Sequence, residues 1–107
     1  MVTRQKEISE LIKSLFKKKE TLPEQILVLV YELGDLTKSI TRMIWYPKDD
    51  VMYKAYRAEA KRALGDMITQ LYLTCEHLDL SFEEVREFGF VALKEKVEEW
   101  KKQGLKK

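Results

Sequence analysis

Cysteine is almost missing from this chain: Cys75 stands alone, so no disulfide can form within it. Proline and glycine are scarce as well, with two and four residues among 107, and such a shortage of turn formers argues against a fold of many short strands. No apolar run approaches the roughly 20 residues needed to span a bilayer. An excess of one charge is lacking too, because 20 basic and 18 acidic residues leave a net +2, which gives no overall field for a nucleic acid or a membrane surface. Met1 to Lys6 leads straight into a charged amphipathic segment without the apolar stretch of a secretory signal, so a cytoplasmic protein is expected.

What remains is 45% hydrophobic and 36% charged residues, a balance that suits amphipathic helices. Ile8, Leu11, Ile12, Leu15 and Phe16 recur at the spacing of one helical face and predict a first helix from about Thr3 to Lys19, with Lys17, Lys18 and Lys19 favouring its carboxyl end. Thr21 and Glu24 have capping-box spacing and Pro23 fits a first turn, which starts a second helix running to about Trp45. Tyr46 to Asp50 contains the second proline and a suitable new N-cap. A third helix is expected from Val51 to about Leu78, with Leu64, Met67, Ile68, Leu71, Cys75 and Leu78 as its main stripe and Tyr72 at the edge. Ser81 with Glu84 opens a last helix whose buried side is expected at Val85, Phe88, Ala92, Val97 and Trp100, with fraying over Lys101 to Lys107. No repeat or linker divides the chain, so residues 1–107 read as one all-α domain, a bundle of about four helices. A chain this short makes a thin core, so completion by oligomerisation is expected. The unbroken Ile26-Leu27-Val28-Leu29-Val30 agrees with burial on more than one side of helix two.

Glu32 breaks the pattern of that helix. On a wheel of about 100° per residue it falls among Val28, Leu29, Leu33, Leu36, Ile40 and Met43. Asp35 lies three residues on, at the edge of the same stripe. A buried carboxylate without compensation is costly, so Glu32 needs a lysine or arginine from a neighbouring helix, a hydrogen-bond donor or a metal ion. On helix three, Asp66 lies away from the main stripe with Glu59, Ala63, Gln70 and Leu73, where it either bridges to Arg62 one turn back or faces the acids of helix two. Gly34 and Gly65 each precede one of these aspartates; glycine inside a helix costs up to about 1 kcal/mol against alanine, and close helix approach at the acidic sites would account for it. Carboxylates converging from two helices would suit a hard divalent cation such as Mg²⁺, or Mn²⁺, with waters left for a phosphate.

Over about Pro23 to Trp100 the chain resembles the MazG-like, all-α nucleoside triphosphate pyrophosphohydrolases, whose members carry Glu-Glu-x-x-Glu on one helix and Glu-x-x-Asp on the next. Tyr31-Glu32-Leu33-Gly34-Asp35 matches the first motif with Glu32 in place and Asp35 as a conservative replacement. Ala63-Leu64-Gly65-Asp66 matches the second with Asp66 in place. The flanks Leu36-Thr37-Lys38 and Leu78-Asp79-Leu80-Ser81-Phe82-Glu83-Glu84-Val85 are similar to the family's wording. Two departures stand out: Tyr31 replaces the first glutamate, and Ala63 replaces a metal-binding carboxylate, for which Glu59, one turn earlier, is the candidate substitute.

The resemblance implies Mg²⁺-dependent attack of water on the α-phosphorus of a nucleotide, releasing pyrophosphate and leaving a monophosphate. It assigns Glu32, Asp35 and Asp66 to the metal and the chemistry, with Glu59 as a further ligand, and it implies a homodimer or homotetramer. Lys38, Arg42, Lys61 and Arg62 are near enough in sequence to reach phosphates, although each such residue is more often a solvated surface charge. Trp45 and Tyr46 either stack on a base or pack on the neighbouring helix. Cys75 and His77 are two residues apart on different faces, a poor metal pair, and read as a core thiol and a surface imidazole. The competing reading, suggested by Ala63 and Tyr31, is a helical interaction or nucleotide-binding module that kept the fold and lost the chemistry. Nucleic-acid binding through Lys17 to Lys19 and the lysine-rich tail is disfavoured by the near-neutral charge.

Overall fold

A computed structural model describes residues 3–15 and 21–104. Among them the chain is all-α, four helices arranged as a bundle: α1 (Arg4–Leu15), α2 (Leu22–Met43), α3 (Val51–His77) and α4 (Phe82–Lys102). No helix among these residues is long and apolar enough to cross a membrane. Phe16 and the lysines Lys17 to Lys19 lie outside the described residues, as do Leu105 to Lys107.

The starts of the helices follow the local chemistry. Thr21 and Glu24 close a reciprocal capping box, the Thr21 amide donating to Glu24 Oε1 at 2.9 Å and the Glu24 amide to Thr21 Oγ1 at 3.4 Å. Asp50 accepts the Met52 amide at 2.7 Å and opens α3. Ser81 accepts the Glu84 amide at 3.4 Å and opens α4. Lys101 and Lys102, expected to fray, remain helical, and Gly104 adopts a φ of 76° just past the Gln103 cap.

Helices α2 and α3 form the central pair, with α1 laid against α3 and α4 attached near the α3–α4 turn. The Gln5 side chain ties α1 to that turn, donating to Glu76 Oε2 at 3.0 Å and to the Leu80 carbonyl at 2.8 Å while accepting the Phe82 amide at 2.8 Å. Tyr72 packs on Phe82 with ring centroids 3.9 Å apart and donates to Glu83 at 3.1 Å. On α2 the positions turned inward are Gln25, Leu29, Glu32, Leu36, Ser39 and Met43, which follow one another in alternating steps of four and three. On α3 they include Ala60, Ala63, Met67, Gln70 and Thr74, in the same rhythm. The side-chain amide of the buried Gln25 donates to Gln70 Oε1 across the pair, which satisfies a donor inside the contact.

This pairing differs from the expected core. Leu64, Ile68, Leu71 and Leu78, the bulk of the apolar stripe of α3, are exposed, while the mixed face bearing Ala60 and Ala63 is buried. Small side chains let two helices approach, and the cross-linked glutamines need that closeness; the bulky stripe is therefore turned outward. On α2, Leu33 and Ile40 are likewise exposed. The apolar side of α4 is not covered either: Val85, Phe88 and Trp100 are exposed, and Ala92 and Val97 half-buried. Among the described residues Leu73, at 8% exposure, is the one branched aliphatic that is buried. Gly34 and Gly65 do not mark close contacts, since a Cβ added at either would meet nothing within 4 Å.

Candidate metal and phosphate face

One side of the α2–α3 pair gathers the charged residues singled out above. Glu32, Asp35, Lys38, Ser39 and Arg42 from α2 and Glu59, Arg62, Ala63 and Asp66 from α3 line a shallow cleft of about 290 Å³. Helical spacing puts them there: 32, 35, 39 and 42 advance by three or four residues along α2, as do 59, 62/63 and 66 along α3, so each set climbs one flank of its helix. The antiparallel pair then sets the two flanks side by side. Lys61 does not line the cleft, because one residue before Arg62 is about 100° round the helix.

Glu32 sits deepest of the acids on α2, half-buried between the inward-facing Leu29 and Leu36. Its carboxyl is held above the usual glutamate value, first by loss of hydration and then by the negative charges of Asp66 and Asp35. Glu32 therefore feels a carboxylate from its own helix and one from α3. Among the described residues the ion pairs are Arg4–Glu7, Arg86–Glu83 and Lys101–Glu98, all on the surface of single helices. The bridge considered for Asp66 and Arg62 is not among them, and neither is a basic partner for Glu32.

Glu59 reaches the same cleft and accepts a long hydrogen bond, 3.5 Å, from the hydroxyl of Ser39. Ser39 was not visible as a site residue from sequence; its one signal is position, seven residues after Glu32 on the inward face, where it is buried. Ala63 is buried at 4% exposure and forms part of the cleft wall, so no carboxylate extends from the position where the resembled family has one. The donor set is thus four carboxylates and a hydroxyl, all hard oxygen ligands, which fits Mg²⁺ or Mn²⁺ in chemistry. As the side chains stand, no three acid, histidine or cysteine groups among the described residues surround a common point at ligating distance.

Tyr46 packs on Tyr56 with ring centroids 6.1 Å apart and planes at 25°, as expected for an aromatic at the end of a helix, whereas Trp45 is 70% exposed. Cys75 is a buried free thiol, its pKa pushed up by loss of hydration, and His77 is half-buried rather than at the surface.

The fold and this face define a class: an all-α helical protein with an acidic cleft fringed by basic side chains. Comparison with family models, with curated proteins and with solved structures returns no match.

Proposed function

We propose that the chain is a Mg²⁺-dependent nucleotide pyrophosphohydrolase of the MazG-like kind, acting in the cytoplasm as a homodimer or homotetramer on a nucleoside triphosphate or related nucleotide. The observation that carries this reading is the crowding of Glu32, Asp35 and Asp66 without a basic partner among the described residues. Mutual repulsion of that kind is relieved by a divalent cation. Bound there, the cation would supply charge neutralisation at the phosphate oxygens and a water of lowered pKa.

The chain's own residues divide the remaining work. Glu32, Asp35 and Asp66 would hold the metal, with Glu59, which lines the same cleft, standing in for the carboxylate that Ala63 lacks or serving the attacking water. Lys38, Arg42 and Arg62 line the cleft and bind the phosphate chain, orienting the α-phosphorus. Glu59, where it is free of metal, accepts the proton of the attacking water. The new P–O bond forms at the α-phosphorus, the bond to the bridging oxygen breaks, and pyrophosphate leaves.

One observation favours a second reading, a helical nucleotide-binding or interaction module without turnover: the buried Ala63 leaves the acid set one residue short. Pyrophosphate release from a panel of common nucleotides, with millimolar Mg²⁺ or Mn²⁺, separates the two. The enzyme reading expects release that Glu32→Gln abolishes while the fold persists. Neither release nor a metal-dependent rise in melting temperature would leave the second reading standing.

A further inference from the structure

Ser39 is a small polar residue in the inward row of α2, 6% exposed. Serine is a poorer helix former than alanine, and a buried hydroxyl is costly unless it finds a partner. The hydroxyls of Thr37 and Thr41 on the same helix donate to the carbonyls of Leu33 and Thr37, one turn back. Ser39 instead donates across the pair, to Glu59 Oε2 at 3.5 Å. Hydrogen bonds that serve catalysis are commonly long until substrate is bound.

The register of the two helices sets Glu59 apart from the other acids. Seven residues before Ser39 on α2 comes Glu32, and seven after Glu59 on α3 comes Asp66. In an antiparallel pair those two acids therefore share a level about 10 Å along the axes from the level of Ser39 and Glu59. Side chains lean toward the N-terminus of their own helix, which on α3 carries the Glu59 carboxylate away from Asp66. The negative charges that act on Glu32 are those of Asp66 and Asp35, and that of Glu59 is not among them.

We propose that Ser39 is a positioning residue: its hydroxyl holds the Glu59 carboxylate apart from Glu32, Asp35 and Asp66, so that Glu59 serves the attacking water instead of filling the ligand position that Ala63 lacks. This rests on the pyrophosphohydrolase reading and decides between the two tasks which that reading leaves to Glu59. A carboxylate bound to a cation is a weaker base, so an acceptor for the water's proton is best kept off the metal. The water gives its proton to Glu59 and its oxygen to the α-phosphorus; the bond to the bridging oxygen breaks, and its electron pair leaves with pyrophosphate. Lys38, Arg42 and Arg62 line the same cleft and offset the repulsion between this carboxylate and the phosphates.

The test combines Mn²⁺ calorimetry with steady-state pyrophosphate release by the full chain, its Ser39→Ala and Glu59→Ala variants, and the double variant. Glu59 is exposed, and alanine favours a helix more than serine does, so the variants should fold, which circular dichroism checks. Both single variants should bind Mn²⁺ as the parent does, without the roughly tenfold loss that removing even a supporting partner of a metal ligand causes. Glu59→Ala should lower kcat by about 100-fold or more and Ser39→Ala by about 10-fold, each with KM little changed. Adding Ser39→Ala to Glu59→Ala should cost nothing further, because the serine acts through the glutamate. A serine that merely supports the helix would impose its loss in both backgrounds. Mn²⁺ affinity lost in Glu59→Ala makes Glu59 a ligand and overturns the proposal; so do full turnover by Ser39→Ala and additive losses in the double variant. Those three outcomes leave the enzyme reading intact, whereas an unmodified chain that releases no pyrophosphate ends that reading and this proposal together.

Discussion

The inward row of α2 is polar at Gln25, Glu32 and Ser39, yet it faces α3, whereas the neighbouring row is aliphatic at five of six positions and stays uncovered. Apolarity alone would have reversed that assignment. The difference shows what decides pairing within one chain: small residues on α3, Ala60 and Ala63, allow approach, and the Gln25–Gln70 hydrogen bond rewards it. The aliphatic row is left uncovered. The polar row leaves Glu32 partly open to solvent and near enough to Asp35 and Asp66 to feel their charge.

Several substitutions break or sharpen this contrast, and the largest effect is expected inside. Leu73→Ala removes the one buried branched aliphatic among the described residues and should cost about 2 to 5 kcal/mol in denaturant unfolding. Leu64→Ala, in a monomeric background, should stay within about 0.5 kcal/mol of its parent, because the side chain is already wet. On the acidic side, Glu32→Gln should lower pyrophosphate release by about 100-fold or more, since even the supporting partners of a metal ligand carry effects up to that size. A steady-state assay at saturating Mg²⁺ reads it.

Smaller effects are expected where the helices are open. Gly34→Ala should stabilise the protein by about 0.5 to 1 kcal/mol, because the added methyl meets nothing within 4 Å; thermal unfolding checks the sign. The smallest effect concerns protons. Glu32 has its pKa raised in the folded state, so folding favours its protonated form. That contribution is present below the ordinary glutamate range and is lost as pH rises through the raised value. Without divalent cation, Glu32→Gln should therefore melt higher than its parent near neutral pH, with the gap closing in acid. Melting curves across that range report it.

The helix ends were legible because capping is local: Thr21, Asp50 and Ser81 announce the starts of α2, α3 and α4 within a few residues. The grouping of Glu32, Asp35, Asp66 and Glu59 was legible too, since three- and four-residue spacing fixes which flank each one climbs. Lys61 was placed with them by proximity in sequence, and the helical turn carries it elsewhere. Ser39 left no mark, having neither charge nor bulk. The stripe of Leu64, Ile68 and Leu71 was read as core because a wheel ranks faces by apolarity and contains no information on which face a neighbouring helix will take. The same holds for Phe88 and Trp100 on α4. Gly34 and Gly65 were read as contact points on their energetic cost, and the space around them shows no such contact.

The central claim is that the crowded carboxylates of the α2–α3 cleft hold a divalent cation. Calorimetric titration of Mn²⁺ into the protein, repeated in buffers of different ionisation enthalpy, tests it directly. Saturable binding is predicted, with proton release growing as the pH is lowered because the Glu32 pKa is raised, and with binding lost in Glu32→Gln. Heats no larger than dilution, or identical binding by the folded Glu32→Gln protein, would contradict it.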